Sequence, residues 1–181
     1  MFDGFEEFDI STTGASVHGC RGGSGPPLLL LHGIPETHLM WHRVAPHLAE
    51  RYTVVATDLR GYGDSGKPPS TADHEPYSKR AIGSDQIEVM RELGYDQFSL
   101  VGHDRGARCS YRLALDHPDA VLQLAVMDVV PVGDAYNRAD KDFASSTGNG
   151  RSSPRQNRPR NSSSTRHRPI WSTSCSTLGP R

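Results

Sequence analysis

Short apolar runs alternate along this chain with longer stretches of helical spacing. Leu28 to Leu31 is four leucines in a row, set between the turn-rich RGGSGPP and the loop His32-Gly33-Ile34-Pro35. TVVAT at Thr53 to Thr57 and FSLVG at Phe98 to Gly102 are similar runs, and Val121 to Val130 (VLQLAVMDVV) is a fourth. Runs this short and this apolar predict strands buried on both faces, as in a parallel sheet. Ala15 to Cys20 reads as a further strand. Between the runs, Trp41 to Glu50 places Trp41, Val44, Ala45 and Leu48 on one side of a predicted helix. Ser78 to Leu93 aligns Ile82, Gln86, Val89 and Leu93, with Gly94 as the stop, and Arg105 to His117 is a helix ended by Pro118. RGYGDSGKPP, Arg60 to Pro69, is loop. Strand and helix in alternation predict an α/β fold with a mostly parallel, doubly wound sheet. Sites in such sheets form at the carboxyl ends of the strands. His32-Gly33, Asp104 and Asp128 all fall there.

Composition changes the picture beyond Ala144. From Ser145 to Arg181 the chain is almost all Ser, Arg, Thr, Pro, Gly and Asn. All 21 acidic residues and 13 of the 20 basic ones precede Ser145, so the body carries a formal −8 and the tail +7. Two regions are therefore expected: a partial core over 1–144, and a disordered basic tail over 145–181. The tail's composition also fits out-of-frame reading of a GC-rich gene. Codons exist for STGNGRSS that read as an aromatic string in another frame. A basic arm for nucleic acid is the alternative, marked by salt-sensitive DNA binding that is lost on deleting the tail. Cys20, Cys109 and Cys175 have no CxxC spacing, which argues against a disulfide framework or a zinc site. The acidic N-terminus lacks the apolar run of a signal peptide, and no stretch has the roughly 20 apolar residues of a membrane helix. A cytoplasmic protein is expected.

The strongest local signal is Gly102-His103-Asp104-Arg105-Gly106, between an apolar strand and a helix. This is the context of a nucleophile elbow, where a strained residue is flanked by glycines so that strand and helix can pass closely. The central residue here is an aspartate. A carboxylate is ionised at neutral pH without help and can displace a leaving group from saturated carbon, forming an ester. Water must then hydrolyse that ester, which calls for a histidine base and an acid to orient it. Asp128 is the candidate acid, with a plain strand-end turn as the other reading. The one histidine after Asp128 is His167, in a segment that does not resemble a packed loop.

The Ile34 and Arg105 amides are the candidate oxyanion donors, the alternative being a tight structural turn. His32 is expected to support that loop without reacting. Arg105 and Arg108 lie in the first turn of the helix after Asp104, where cations oppose the helix dipole. A substrate carboxylate gripped by the two guanidinium groups would compensate. Salt bridges to neighbouring acids are the alternative.

Taken together, LLLLHGIPE, Met40-Trp41-His42-Arg43, Asp58-Leu59-Arg60-Gly61-Tyr62-Gly63, Tyr77-Ser78-Lys79-Arg80, VGHDRGAR, YRLALDHP and MDVVP resemble the fluoroacetate (haloacetate) dehalogenases of the α/β-hydrolase superfamily. The resemblance covers about residues 15 to 144. Epoxide hydrolases share HGxP, DLRGYG and GHD but usually have Trp where this chain has Arg105, and they remain the second reading.

The resemblance implies that Asp104 attacks the α-carbon of a haloacetate, that Arg105 and Arg108 hold its carboxylate, and that Asp128 orients the base. The product would be a 2-hydroxy acid. It implies no metal or organic cofactor, and a small halogenated carboxylate as partner, with neither nucleic acid nor membrane. It allows a homodimer. A helical cap that binds halide and a base His near the C-terminus belong to the family's pattern, and no counterpart of either is found in this sequence. An incomplete sheet and loss of turnover are therefore expected for this chain.

Overall fold

A computed structural model describes residues 2–130 together with Gly133 and Asn137. The tail from 145 to 181, including His167, lies outside the described residues, as does the rest of the segment after Val130. Six strands form one sheet: β1 (Glu6–Ser11), β2 (Ser16–Gly22), β3 (Pro27–Leu31), β4 (Thr53–Thr57), β5 (Phe98–His103) and β6 (Val121–Met127), in the spatial order β1-β2-β4-β3-β5-β6. β1 pairs antiparallel with β2, and β2 antiparallel with β4. The β4/β3, β3/β5 and β5/β6 pairs are parallel. The sheet is thus mostly parallel with an antiparallel edge. β1 was not foreseen, because its acidic, half-exposed sequence carries little apolar signal.

The four leucines of β3 divide between the two faces of the sheet, as period-two alternation requires. Leu29 and Leu31 join Val55, Leu59, Ile82, Met90, Phe98, Leu100 and Leu113 on one side. Leu28 and Leu30 join Cys20, Trp41, Ala45, Val54 and Ala56 on the other. Helices α2 (Lys79–Glu92) and α3 (Arg105–Asp116) pack together and supply the first face with Ile82, Met90 and Leu113. Ser78 caps α2 by accepting a hydrogen bond from the Ala81 amide at 3.0 Å, and Gly94, at φ +88°, follows its end. The segment Trp41 to Glu50 is not one helix. A 3-10 turn, His38–Arg43, meets a short α1, Ala45–Ala49, and Val44 at the junction is exposed. Pro46 in the first turn of α1 lacks the amide that would continue a preceding helix. β6 borders only β5 among the described residues and leaves Leu122, Leu124 and Val126 exposed.

Two buried polar clusters fix the loops above the sheet. Arg60 donates to both carboxylate oxygens of Asp85, at 2.8 and 2.7 Å, and Thr12 donates to the same carboxylate at 2.6 Å. Arg60 also donates to the Pro76 carbonyl at 2.6 Å, tying the approach to α2 to the loop after β4.

Asp58 accepts from the His38 amide at 2.6 Å, the His38 ring at 2.8 Å and the Asp64 amide at 2.9 Å. Burial pushes its carboxyl up, but these hydrogen bonds outweigh burial and hold it at about 2. A depressed carboxyl contributes stability above its ordinary value of about 4 and loses it as pH falls to about 2. Asp58→Asn is therefore expected to cost about 2 kcal/mol at neutral pH. Its thermal midpoint should also fall less than that of the parent chain between about pH 4 and pH 2, as calorimetry across that range would measure.

Candidate functional site

β3, β5 and β6 run parallel side by side, so their carboxyl ends open on one edge of the sheet. His32-Gly33, Asp104 and Asp128 leave the strands there. Asp104 lies between β5 and α3 with φ 45° and ψ −108°, a conformation that side-chain-bearing residues rarely adopt. Two glycines make the bend possible. A Cβ at Gly106 would collide with the carbonyl oxygens of Leu31 and His32, and one at Gly102 with the Ser110 hydroxyl and the Ala107 backbone. The elbow anticipated from GHDRG is therefore present, with a half-buried carboxylate at its tip.

The Ile34 amide donates to Asp104 Oδ2 at 3.0 Å. The Arg105 amide, the other anticipated donor, opens α3 directly after the bend. The loop that carries Ile34 is held from two sides. His32 is fully buried; its Nδ1 donates to the Gly33 carbonyl at 2.7 Å, and its Nε2 accepts from the Leu59 amide at 2.9 Å. Burial pushes its pKa down, which suits the neutral ring that this bonding requires. Glu36 accepts from the Gly33 amide at 3.1 Å and from His103 Nδ1 at 3.2 Å. Gly33 itself has no room for a side chain, since a Cβ there would lie 2.8 Å from His103 Nδ1 and 2.9 Å from Asp104 Cβ.

Asp128 has φ 53° and an exposed side chain. Its Oδ2 stands 3.7 Å from His103 Nε2. His103 thus lies between Glu36 and Asp128, an arrangement the sequence did not disclose. The available signal was its place immediately before Asp104 at the end of a parallel strand. Asp128 was expected to face a downstream histidine. Among the described residues the histidine it approaches is His103, and His167 lies outside them.

Arg105 is exposed and Arg108 half-buried. Neither forms an ion pair or a side-chain hydrogen bond among the described residues, so the salt bridges considered as an alternative have no counterpart there. A cavity of about 380 Å³ is lined by Arg21, Gly23, Gly25 and Thr53 at the opposite end of the sheet, away from Asp104. A smaller one, about 80 Å³, begins at Arg105. Among the described residues no group of His, Cys, Asp and Glu could hold a metal ion, and no helix is long and apolar enough to cross a membrane.

The alpha/beta hydrolase fold family model matches residues 26–176. A fluoroacetate dehalogenase of a Burkholderia species is 54% identical over 144 residues, covering 80% of this chain and 47% of that protein. A soluble epoxide hydrolase of a Corynebacterium species is 41% identical over 127 residues, covering 68% of this chain and 43% of the other. A solved structure from Nostoc sp PCC 7120, presented as an alpha/beta hydrolase, superposes with a TM-score of 0.78 at 55% identity, over 80% of this chain and 50% of that one. The chain spans about half the length of these relatives. With the parallel sheet, the glycine-flanked elbow and these matches in agreement, the chain belongs to the α/β-hydrolase fold family.

Proposed function

We propose that the protein is a hydrolase of the haloacetate dehalogenase type. The observation that carries the reading is the carboxylate of Asp104 at the elbow, with one oxygen held by the Ile34 amide and two arginines beginning the next helix. The other oxygen of Asp104 attacks the α-carbon of a 2-haloacid. The carbon–halogen bond breaks, halide leaves with its electron pair, and an aspartyl ester forms. Arg105 and Arg108 hold the substrate carboxylate in a geometry open to this attack. Water then adds to the ester carbonyl, and the Ile34 and Arg105 amides face the oxygen on which charge develops. Completing that step takes a histidine base oriented by Asp128, with which the ester would collapse to a 2-hydroxy acid and the free carboxylate. Among the described residues Asp128 approaches only His103, so this chain is expected to release one halide per molecule and stop at the ester. No cofactor enters the sequence.

The 54% identity to a fluoroacetate dehalogenase supports the acid substrate. The 41% identity to an epoxide hydrolase keeps the second reading alive, since the same aspartyl ester would form on an epoxide. Arg105 favours the first, because a guanidinium beside the nucleophile suits an anionic substrate. Chloride release from chloroacetate, set beside diol or adduct formation from styrene oxide, separates the two. Stoichiometric chloride release with an inert epoxide is expected. Reaction with the epoxide alone would overturn the dehalogenase reading. On the same reading, Arg105→Gln is expected to raise the half-saturating chloroacetate concentration at least tenfold, roughly the loss of one charge-assisted pair.

A further inference from the structure

The strand ladder stops short of the reacting groups. β3 and β5 pair as far as Leu31 and Gly102, and the turn Gly33 to Glu36, which carries the Ile34 amide, lies beyond that last pair. Asp104 is fixed from the other side, where its own amide donates to the Met127 carbonyl at the end of β6, at 3.0 Å. The turn therefore needs a separate tie to β5 if Ile34 is to stay 3.0 Å from Asp104 Oδ2.

Glu36 supplies that tie. Its amide donates to the Gly33 carbonyl at 3.2 Å, and its Oε2 accepts from the Gly33 amide at 3.1 Å, so the turn is closed twice. The same Oε2 accepts from Nδ1 of His103, the last residue of β5, at 3.2 Å. One oxygen thus joins the loop after β3 to the residue just before the nucleophile. Stability is not what the pair supplies. The two side chains are 25% and 34% exposed, and ion pairs this open to water add little to folding. Position is what it fixes. The Ile34 amide occupies Oδ2 of Asp104 and leaves the other oxygen to attack, and attack on carbon tolerates little misplacement of that oxygen.

We propose that Glu36 and His103 are positioning residues for the nucleophile: they brace the turn so that the Ile34 amide holds one oxygen of Asp104 and presents the other to the substrate. The inference rests on the reading of Asp104 as the nucleophile, and it concerns the orientation of that carboxylate, whichever substrate it meets.

His103 also approaches Asp128 through Nε2, at 3.7 Å, and two isosteric variants separate the contacts. His103→Asn sets an N–H about where Nδ1 stands and keeps the tie to Glu36. His103→Gln sets it about where Nε2 stands and loses the tie. Two readouts are taken on the whole chain. One is solvent exchange of the Ile34 amide by NMR, with the Leu29 and Leu31 amides as the control for the sheet. The other is the rate of the single chloride release from chloroacetate and the concentration that half-saturates it.

Glu36→Ala and His103→Gln are expected to speed Ile34 exchange about tenfold and to leave the control amides as in the parent. Both should slow release at saturating chloroacetate at least tenfold, with half-saturation within about twofold of the parent. His103→Asn should restore most of both losses. The proposal is overturned if Ile34 exchange is unchanged in Glu36→Ala, or if His103→Gln and His103→Asn behave alike. Loss of protection at Leu29 and Leu31 together with Ile34 would overturn it too, as the mark of a merely structural role. So would a rise in half-saturation at an unchanged rate. An Ile34 amide that depends on Glu36, in a chain whose Asp104 no haloacid alkylates, would uphold the brace and sink the dehalogenase reading.

Discussion

Replacing Asp104 with asparagine is expected to abolish chloride release from chloroacetate, slowing it by about a thousandfold or more. The amide keeps the shape of the side chain and can still lie near the Ile34 amide. It lacks the ionised oxygen that attacks carbon, and an amide oxygen is a poor nucleophile at saturated carbon. The substitution should be nearly silent for stability, because the strained backbone at φ 45° favours neither residue. A chloride assay on the folded variant, with circular dichroism as the control for folding, separates loss of chemistry from loss of structure. Release at the parent rate would mean that another group attacks the substrate.

The largest loss of stability is expected from Asp85→Ala. Asp85 and Arg60 are both buried, with side chains 1% and 5% exposed, and form a two-pronged pair. Removing one partner leaves an uncompensated guanidinium in the interior, at a cost of about 3–5 kcal/mol. Against a total stability of about 5–15 kcal/mol, that is enough to shift the urea midpoint well below the parent's. Thr12 also loses one of its two acceptors and keeps the Ala15 carbonyl. The double variant Asp85→Ala, Arg60→Leu should recover part of the loss, since the stranded charge goes with it. The approach to α2 is loosened as well, because Arg60 also holds the Pro76 carbonyl.

The central strands were legible because burial on two faces leaves a plain mark. LLLL and TVVAT can be little else when turn residues flank them, and both are buried throughout or nearly so. The elbow was legible for a related reason: Gly102 and Gly106 mark places where a Cβ meets backbone or a buried hydroxyl. Even the Ile34 amide could be nominated, since the loop after β3 must pass the end of β5 once the two strands pair in parallel.

What stayed hidden depends on contacts between distant positions or on signals too weak to stand alone. β1 is an acidic edge strand whose pairing partner, not its own pattern, makes it a strand. The predicted helix over Trp41 to Glu50 broke at Val44 because the apolar spacing persisted across a proline that interrupts the backbone. The bond from His103 to Glu36 spans 67 residues, and nothing in GHD alone announces it.

The most direct measurement is peptide mapping by tandem mass spectrometry after incubation with chloroacetate. The expected result is a carboxymethyl ester on the peptide that contains Asp104, localised to that residue and removed by mild base. An unmodified Asp104 peptide, with any label on Cys20, Cys109 or a histidine instead, would contradict the account.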